Sequence, residues 1–175
     1  MVHFNFEKNF KNPIIGIDEV GRDSWAGPVM AGAALIDYQK PLHAKLNDSK
    51  KLSSKTRYEV LGHLKKNAFL GIGVSSNNEI DAYGITQATF NAMERAFLDI
   101  TKKINLNKVS TLLIDGTLRP NFKNILGANI ILIKKGDEIS PSIAAASIFA
   151  KCTRDLFMLE MNEAYEGYGF ETNMG

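Results

Sequence analysis

Cysteine and histidine are scarce in this chain of 175 residues, which has one cysteine, Cys152, and three histidines, His3, His43 and His63. A single cysteine cannot form an internal disulfide and has no second thiol with which to bind zinc. The histidines lack the spacing of metal ligands, so each is expected at the surface or in packing contacts. These shortages argue against a zinc site and indicate a reducing compartment, for which we expect the cytoplasm.

Long apolar runs are absent as well. No run approaches the roughly 20 residues that a membrane helix needs, and residues 1–12 are too polar for the apolar core of a secretory signal. The hydrophobic fraction of 45% is nevertheless enough for one core, and nothing in the chain is of low complexity. We therefore expect a polar N-terminal arm over residues 1–12, one domain over residues 13–175, a monomer, and no membrane contact.

Charge of either sign is close to balanced. Lysine and arginine number 21 against 19 acidic residues, giving a formal net charge of +2. A surplus this small does not by itself indicate a nucleic-acid partner. The function must therefore be sought in motifs and not in composition.

Hydrophobic periodicity predicts one α/β domain of order β-β-α-β-α-β-β-α. The first two strands are joined by a short loop and should form a hairpin. Ser53 is the expected N-cap of the first helix, and Ser140-Pro141 marks the entrance to the last one, since proline is tolerated in a first turn. The predicted strands cover residues 13–18, 26–36, 70–74, 109–114 and 129–133, and the predicted helices cover residues 57–66, 80–104 and 143–161.

Acidic residues stand at the ends of three predicted strands. Asp18 and Glu19 end the first strand, Asp115 ends the fourth, and Asp137 follows the fifth. Strand ends beside loops are common positions for sites in open α/β sheets. Carboxylates brought together repel one another and require a cation, and oxygen ligands favour Mg²⁺ or Mn²⁺. Each acid alone is equally explained as a turn residue, so the pattern predicts a metal site without naming a substrate.

Several short motifs, in order from Ile14 to Gly175, together resemble the ribonuclease HII family. The motifs read GIDEVGR at 16–22, AGPV at 26–29, DSKKL at 48–52, IDG at 114–116, GD at 136–137, IAAASIFAK at 143–151 and RD at 154–155. The resemblance implies a ribonuclease H-like fold, in which helices flank a central mixed β-sheet.

The same resemblance implies an endoribonuclease that uses two Mg²⁺ or Mn²⁺ ions. Its substrates would be RNA/DNA hybrids and duplex DNA containing ribonucleotides, nicked on the 5′ side of the ribonucleotide, with 5′-phosphate and 3′-hydroxyl products and a role in DNA replication and repair. The catalytic and metal-binding residues that it implies are Asp18, Glu19, Asp115 and Asp137. The substrate-binding residues that it implies are Gly21, Arg22, Ser49, Lys50, Lys51, Ser147 and Lys151.

Two departures from the family pattern concern substrate contacts. Asp23 and Ser24 stand where the family has glycine and usually proline, and the matched run 173–175 precedes the position of a tyrosine that contacts the ribose in the family. A shortened, catalytically weak or inactive nucleic-acid-binding remnant is therefore the alternative interpretation. A related endonuclease such as a junction resolvase fits less well, because it does not explain segments 48–52 and 143–151. Trp25, in the same loop as Asp23, is expected to be a packing residue.

Overall fold

The fold is described from a computed structural model that covers residue 2 and residues 5–104, 109–125 and 127–175. The strands are β1 (Ile14–Val20), β2 (Val29–Ile36), β3 (Ala68–Ser75), β4 (Thr111–Asp115) and β5 (Asn129–Ile133). The helices are α1 (Ser54–Asn67), α2 (Asn77–Tyr83), α3 (Ile85–Ile104), α4 (Pro141–Ala164) and α5 (Phe170–Asn173). Single turns of 3₁₀ helix cover Glu7–Asn9, Ser49–Lys51 and Gly136–Glu138.

The five strands form one mixed sheet of order β3-β2-β1-β4-β5. β1 and β2 form the predicted antiparallel hairpin, and β3 continues it antiparallel to β2. On the other side of β1, strands β4 and β5 run parallel to it, with Ile17 paired with Ile114. Because β1, β4 and β5 are parallel, their carboxyl ends open at the same edge of the sheet.

Helices cover both faces of the sheet. α3 packs on one face, where its buried alanines meet Gly71 and Gly73 of β3, and the core there also includes Ile15 and Ile17 of β1. α1 and α4 pack on the opposite face against Ala34 and Ile36 of β2. No helix in the described ranges is long and apolar enough to cross a membrane.

Helix α4 approaches the sheet closely enough that backbone meets backbone. A Cβ atom added at Gly16 of β1 would lie 2.2 Å from the carbonyl carbon of Ser142, and one at Gly32 of β2 would lie 2.2 Å from the carbonyl oxygen of Ala146. The three alanines at positions 144–146 of α4 are completely buried. Small side chains on both partners therefore set the depth at which α4 lies on the sheet.

Most predicted elements are confirmed, including the N-cap Ser53, whose hydroxyl accepts a bond from the amide of Thr56. The helix entrance predicted at Ser140 and Pro141 is also confirmed, and there the Ser140 hydroxyl accepts a bond from the amide of Ile143. The prediction of one helix over residues 80–104 is wrong, because Gly84 has a positive φ of 78° and separates α2 from α3. The predicted strand end at Asp18 is also wrong, since β1 continues to Val20. The one-turn helix α5 was not predicted; one turn is too short to show hydrophobic periodicity.

Glu7 anchors the N-terminal segment to the rest of the structure, and its side chain is completely buried. Its carboxylate accepts hydrogen bonds from the hydroxyl of Ser140, from the amide of Ser142 at 2.8 Å and from the Ser142 hydroxyl at 3.0 Å. Tyr38 donates a further bond of 2.9 Å. A carboxylate beside the first turn of α4 also interacts favourably with the helix dipole. Glu7 thus holds the start of α4, four residues after Asp137.

We predict that Glu7→Ala lowers the free energy of unfolding by about 2–3 kcal/mol, because it leaves several buried donors without an acceptor. Urea denaturation followed by circular dichroism measures the change. Glu163→Ala, at an exposed position of the same helix α4, is the matched control and should shift stability by less than about 0.5 kcal/mol. Equal midpoints for the two variants would contradict the role assigned to Glu7.

Candidate active site

An open pocket of about 440 Å³ lies at the edge of the sheet where β1, β4 and β5 end. All four predicted carboxylates line it, together with six of the seven predicted substrate-binding residues. These pocket residues are Asp18, Glu19, Gly21, Arg22, Ser49, Lys50, Asp115, Asp137, Ser147 and Lys151. The fold therefore brings together residues up to 133 positions apart in the sequence.

The carboxylates are oriented by neighbouring backbone and hydroxyl groups. Asp18 is only 6% exposed, and its Oδ1 accepts a 2.8 Å hydrogen bond from the amide of Glu19, while Ser147 supplies a side-chain hydrogen bond. Asp115 accepts a 2.6 Å bond from the amide of Gly136, which links the end of β4 to the turn carrying Asp137. The acids thus occupy defined positions although they repel one another.

Burial and mutual repulsion raise the pKa values of these acids. Burial is the largest cause for Asp18, whose pKa lies well above its ordinary value, and the charges of Glu19 and Asp115 add to it. Burial also raises the pKa values of Glu19 and Asp115. For Asp137, burial followed by the charges of Asp48 and Asp115 raises the pKa to about 6. The pocket therefore carries more negative charge than its own cations offset.

A hard divalent cation fits this donor set, which consists of partly desolvated carboxylate oxygens. Among the residues that the structure describes, no three histidine, cysteine, aspartate or glutamate side chains are grouped closely enough to hold a metal ion as they stand. The acids are spread around the pocket and do not converge on one point. Backbone amides hold Asp18 and Asp115, and Asp48 contacts Asp137. Small side-chain rotations toward a cation would have to bring their oxygens together.

Three cationic side chains surround the acids. Arg22 and Lys50 are close enough to lower the pKa of Glu19 in part, and Lys151 lines the same pocket, where its ammonium lies 2.6 Å from Asp155. Lys51 is the one predicted substrate residue that does not line the pocket. Its ammonium instead pairs with Glu138 at 3.1 Å.

The segment that carries Ser49 and Lys50 is fixed at both ends. Asp48 caps its 3₁₀ turn by accepting a 2.8 Å bond from the amide of Lys50, and the Ser49 hydroxyl lies 2.9 Å from that of Ser147. Arg57 donates to the carbonyls of Ser49 and Leu52 and pairs with Asp155 at 3.3 Å. Helices α1 and α4 together therefore set the position of Lys50 at the pocket.

Sequence reasoning missed or misjudged several side chains. Asp48, to which the motif at 48–52 had assigned no role, forms a side-chain hydrogen bond with Asp137. Trp25 was predicted to pack, but that prediction is wrong, because its side chain is fully exposed. His43 and His63, which were expected at the surface or in packing contacts, pack against each other with their ring centroids 5.3 Å apart. His3 lies outside the described residues. For Asp48, the only sequence signal of a place at the pocket was its adjacency to Ser49 in the motif at 48–52.

Solved structures share the arrangement of this sheet and its helices. The crystal structure of ribonuclease H2 from Pyrococcus horikoshii OT3 superimposes with a TM-score of 0.72 at 23% identity, covering 89% of this chain and 78% of that one. Bst-RNase HIII, crystallised in complex with Mn²⁺, gives a TM-score of 0.72 at 22% identity, covering 86% of this chain and 54% of that one. The fold is therefore that of a ribonuclease H, confirming the fold expected from the sequence.

The family follows from sequence comparison. The family model described as Ribonuclease HII matches residues 15–175. The ribonuclease HII of Fusobacterium nucleatum is 41% identical over 171 residues, covering 97% of this chain and 77% of that protein. The chain belongs to the ribonuclease HII family. It is accordingly a ribonuclease H, an endoribonuclease of the hydrolase class.

The raised pKa of Asp137 predicts how the metal-free protein responds to pH. A carboxyl group with a folded-state pKa near 6 and an ordinary unfolded-state value near 3.9 destabilises the fold when ionised. The protonated carboxyl group stabilises the fold relative to the ionised one. This stabilisation is fully present below the unfolded-state pKa and is lost as the pH rises through the folded-state pKa of about 6. In EDTA, the melting temperature should therefore fall between about pH 4 and pH 6.5 less steeply in Asp137→Asn than in the wild type.

Calorimetry at several pH values provides the test. The exposed acid Glu171 offers a control, since Glu171→Gln should leave the slope of the wild type unchanged. If Asp137→Asn has the same slope as both, then Asp137 ionises in the fold as freely as it does in the unfolded chain.

Proposed function

We propose that this chain hydrolyses the RNA strand of RNA/DNA hybrids and nicks duplex DNA on the 5′ side of an embedded ribonucleotide, leaving 5′-phosphate and 3′-hydroxyl ends. The observation that carries the proposal is the meeting of Asp18, Glu19, Asp115 and Asp137 in one pocket that is bordered by cationic side chains. Membership of the ribonuclease HII family supports the choice of substrate.

The four carboxylates would hold Mg²⁺ or Mn²⁺, and the Mn²⁺ complex of Bst-RNase HIII supports this assignment. Two such ions supply, when bound, a more acidic attacking water and positive charge beside the leaving 3′-oxygen. The chain itself must place the scissile phosphate next to the acids. Because their pKa values are raised by burial and repulsion, the acids should bind a cation with release of protons at low pH.

Phosphate placement falls to the cationic and hydroxyl groups at the pocket. Arg22 and Lys50 offer positive charge close to Glu19, and Ser49 lies beside Ser147 at the base of the segment that carries Lys50. Contacts to phosphate and sugar position a nucleic acid without reading its sequence. We therefore infer cleavage that depends on the sugar and not on the base.

Recognition of RNA requires a contact with the 2′-hydroxyl, which DNA lacks. The turn after β1 is suited to this contact, since Gly21 has a φ of 90° and lines the pocket beside Arg22. Glycine adopts a positive φ without the steric cost that a side chain would bring, so the chain can turn sharply at the pocket. We assign the 2′-hydroxyl contact to the backbone of this turn.

We predict that the protein nicks a DNA duplex containing one ribonucleotide in the presence of Mn²⁺ or Mg²⁺, and that EDTA abolishes the reaction. All-DNA duplex and single-stranded RNA should remain intact. Denaturing gels of end-labelled duplexes locate the cut and identify the new ends.

Asp18→Asn is the matched variant, because it keeps the side-chain shape and removes one ligand charge. It should reduce cleavage by roughly 10²-fold or more, and it should diminish the rise in melting temperature that Mn²⁺ gives the wild type. Cleavage of all-DNA duplex at a similar rate would instead favour the related endonuclease. Intact Mn²⁺ stabilisation in Asp18→Asn would remove Asp18 from the ligand set.

Asp23 is the departure that favours a weakened enzyme over a fully active one. Its side chain is exposed and lines the pocket next to Arg22. A carboxylate a few ångströms from a phosphate costs on the order of 1 kcal/mol at an effective dielectric constant near 20. We predict that Asp23→Gly raises kcat/KM for the single-ribonucleotide duplex by roughly fivefold, mostly through a lower KM.

Asp23→Asn separates charge from backbone freedom, since it removes the charge and keeps a side chain of the same size. It should recover most of the gain if electrostatic repulsion is the cause. An unchanged kcat/KM in both variants would show that Asp23 does not face the phosphate. Absence of any cleavage in wild type and variants, with Mn²⁺ still bound, would leave the binding remnant as the better interpretation.

A further inference from the structure

Arg154, the arginine of the RD motif, is the largest completely buried side chain among the described residues, with an exposed fraction of 1%, and the family resemblance assigned it no role. It lies on α4 and does not line the catalytic pocket. Its guanidinium group donates three hydrogen bonds, from Nε to the carbonyl of Pro28 at 3.0 Å, from Nη2 to Ala26 at 2.8 Å and from Nη1 to Met174 at 2.7 Å. All three acceptors are backbone carbonyls that lie outside helices and strands.

The two segments that Arg154 holds form one wall of the pocket. The loop of residues 21–28 follows β1 and carries Gly21 and Arg22, whereas Met174 stands between Asn173 and Gly175, which also line the pocket. The segments contact each other directly, since the amide of Trp25 donates to the carbonyl of Gly175 at 3.2 Å. Arg154 thus joins this wall to helix α4, which packs deeply on the sheet.

Only an arginine can make this connection. A guanidinium is planar and presents donors in several fixed directions, whereas a lysine ammonium donates from a single point. The site also fits the guanidinium closely, because a Cβ added at Gly21 would lie 2.4 Å from Nε of Arg154. The space left by the missing side chain of Gly21 is therefore occupied by Arg154.

We propose that Arg154 is a positioning residue for the ribonuclease reaction, acting through the wall formed by residues 21–28 and 173–175. By fixing these backbones relative to α4, it sets the geometry with which the Gly21–Arg22 turn meets the ribose and phosphate. It contacts neither the substrate nor the carboxylates. The proposal rests on the proposed function for its kinetic consequence, while the tethering of the wall does not depend on it.

The variant that tests this role is Arg154→Lys, which keeps a positive charge and a long apolar stem. It should raise KM for the single-ribonucleotide duplex roughly tenfold and change kcat by less than about twofold, because ground-state positioning is lost and the metal-binding acids are untouched. A purely structural role would instead lower the fraction of folded enzyme, which reduces apparent kcat and leaves KM unchanged.

Ile100→Ala is the matched control, since Ile100 is completely buried in α3 on the other face of the sheet. It should lower the melting temperature at least as much as Arg154→Lys does and leave KM at the wild-type value. A raised KM in Ile100→Ala as well would assign the effect to general destabilisation and overturn the proposal.

Trp25 provides a readout that needs no catalysis. It is the only tryptophan of the chain and stands fully exposed in the tethered loop. Time-resolved fluorescence anisotropy should show greater local motion of Trp25 in Arg154→Lys than in the wild type and Ile100→Ala. If the wild type cleaves nothing, the proposed function fails. The role of Arg154 is then tested by comparing Trp25 motion and the Kd for an RNA/DNA hybrid between the wild type and Arg154→Lys. Unchanged Trp25 motion, or greater motion with unchanged KM and Kd, overturns the proposal.

Discussion

The close contact between α4 and the central strands is the constraint on which the rest of the structure depends. At Gly16 and Gly32 the helix backbone occupies the space that side chains would need. This depth places Ser147 beside Asp18 and Ser49, and it places Lys151 at the pocket. Larger residues at either glycine would push α4 outward and separate these groups, so the candidate active site is a consequence of backbone packing.

The acids at the pocket show how a fold tolerates repulsion. Asp18, Glu19, Asp115 and Asp137 are held near one another by strands that pack for hydrophobic reasons, and their pKa values rise as a result. If these acids bind a cation, as proposed above, the native state would regain the stability lost to ionised, buried carboxylates. The proposed metal would then contribute to the stability of the fold as well as to hydrolysis.

Helix α4 also links the pocket to more distant parts of the chain. Its start is held by Glu7, its middle carries Lys151, and Arg154 and Asp155 reach toward different walls of the pocket. Arg154 bonds the 21–28 loop, while Asp155 pairs with Arg57, which holds the segment of Ser49. One rigid helix can thus fix the 21–28 loop relative to the segment of Ser49, because both are bonded, directly or through Arg57, to neighbouring positions on it.

The sequence by itself determined the order of the five strands, the N-cap Ser53, the helix entrance at Ser140 and Pro141, and the placement of the acids near strand ends, because these follow from local periodicity and short motifs. It could not show that Lys51 turns away to Glu138, that Asp48 meets Asp137 or that Trp25 faces solvent. Those outcomes depend on which distant segments become neighbours, and on how deeply α4 lies on the sheet. Only tertiary packing decides such contacts, since hydrogen bonds and ion pairs between remote residues leave no periodic trace in the chain.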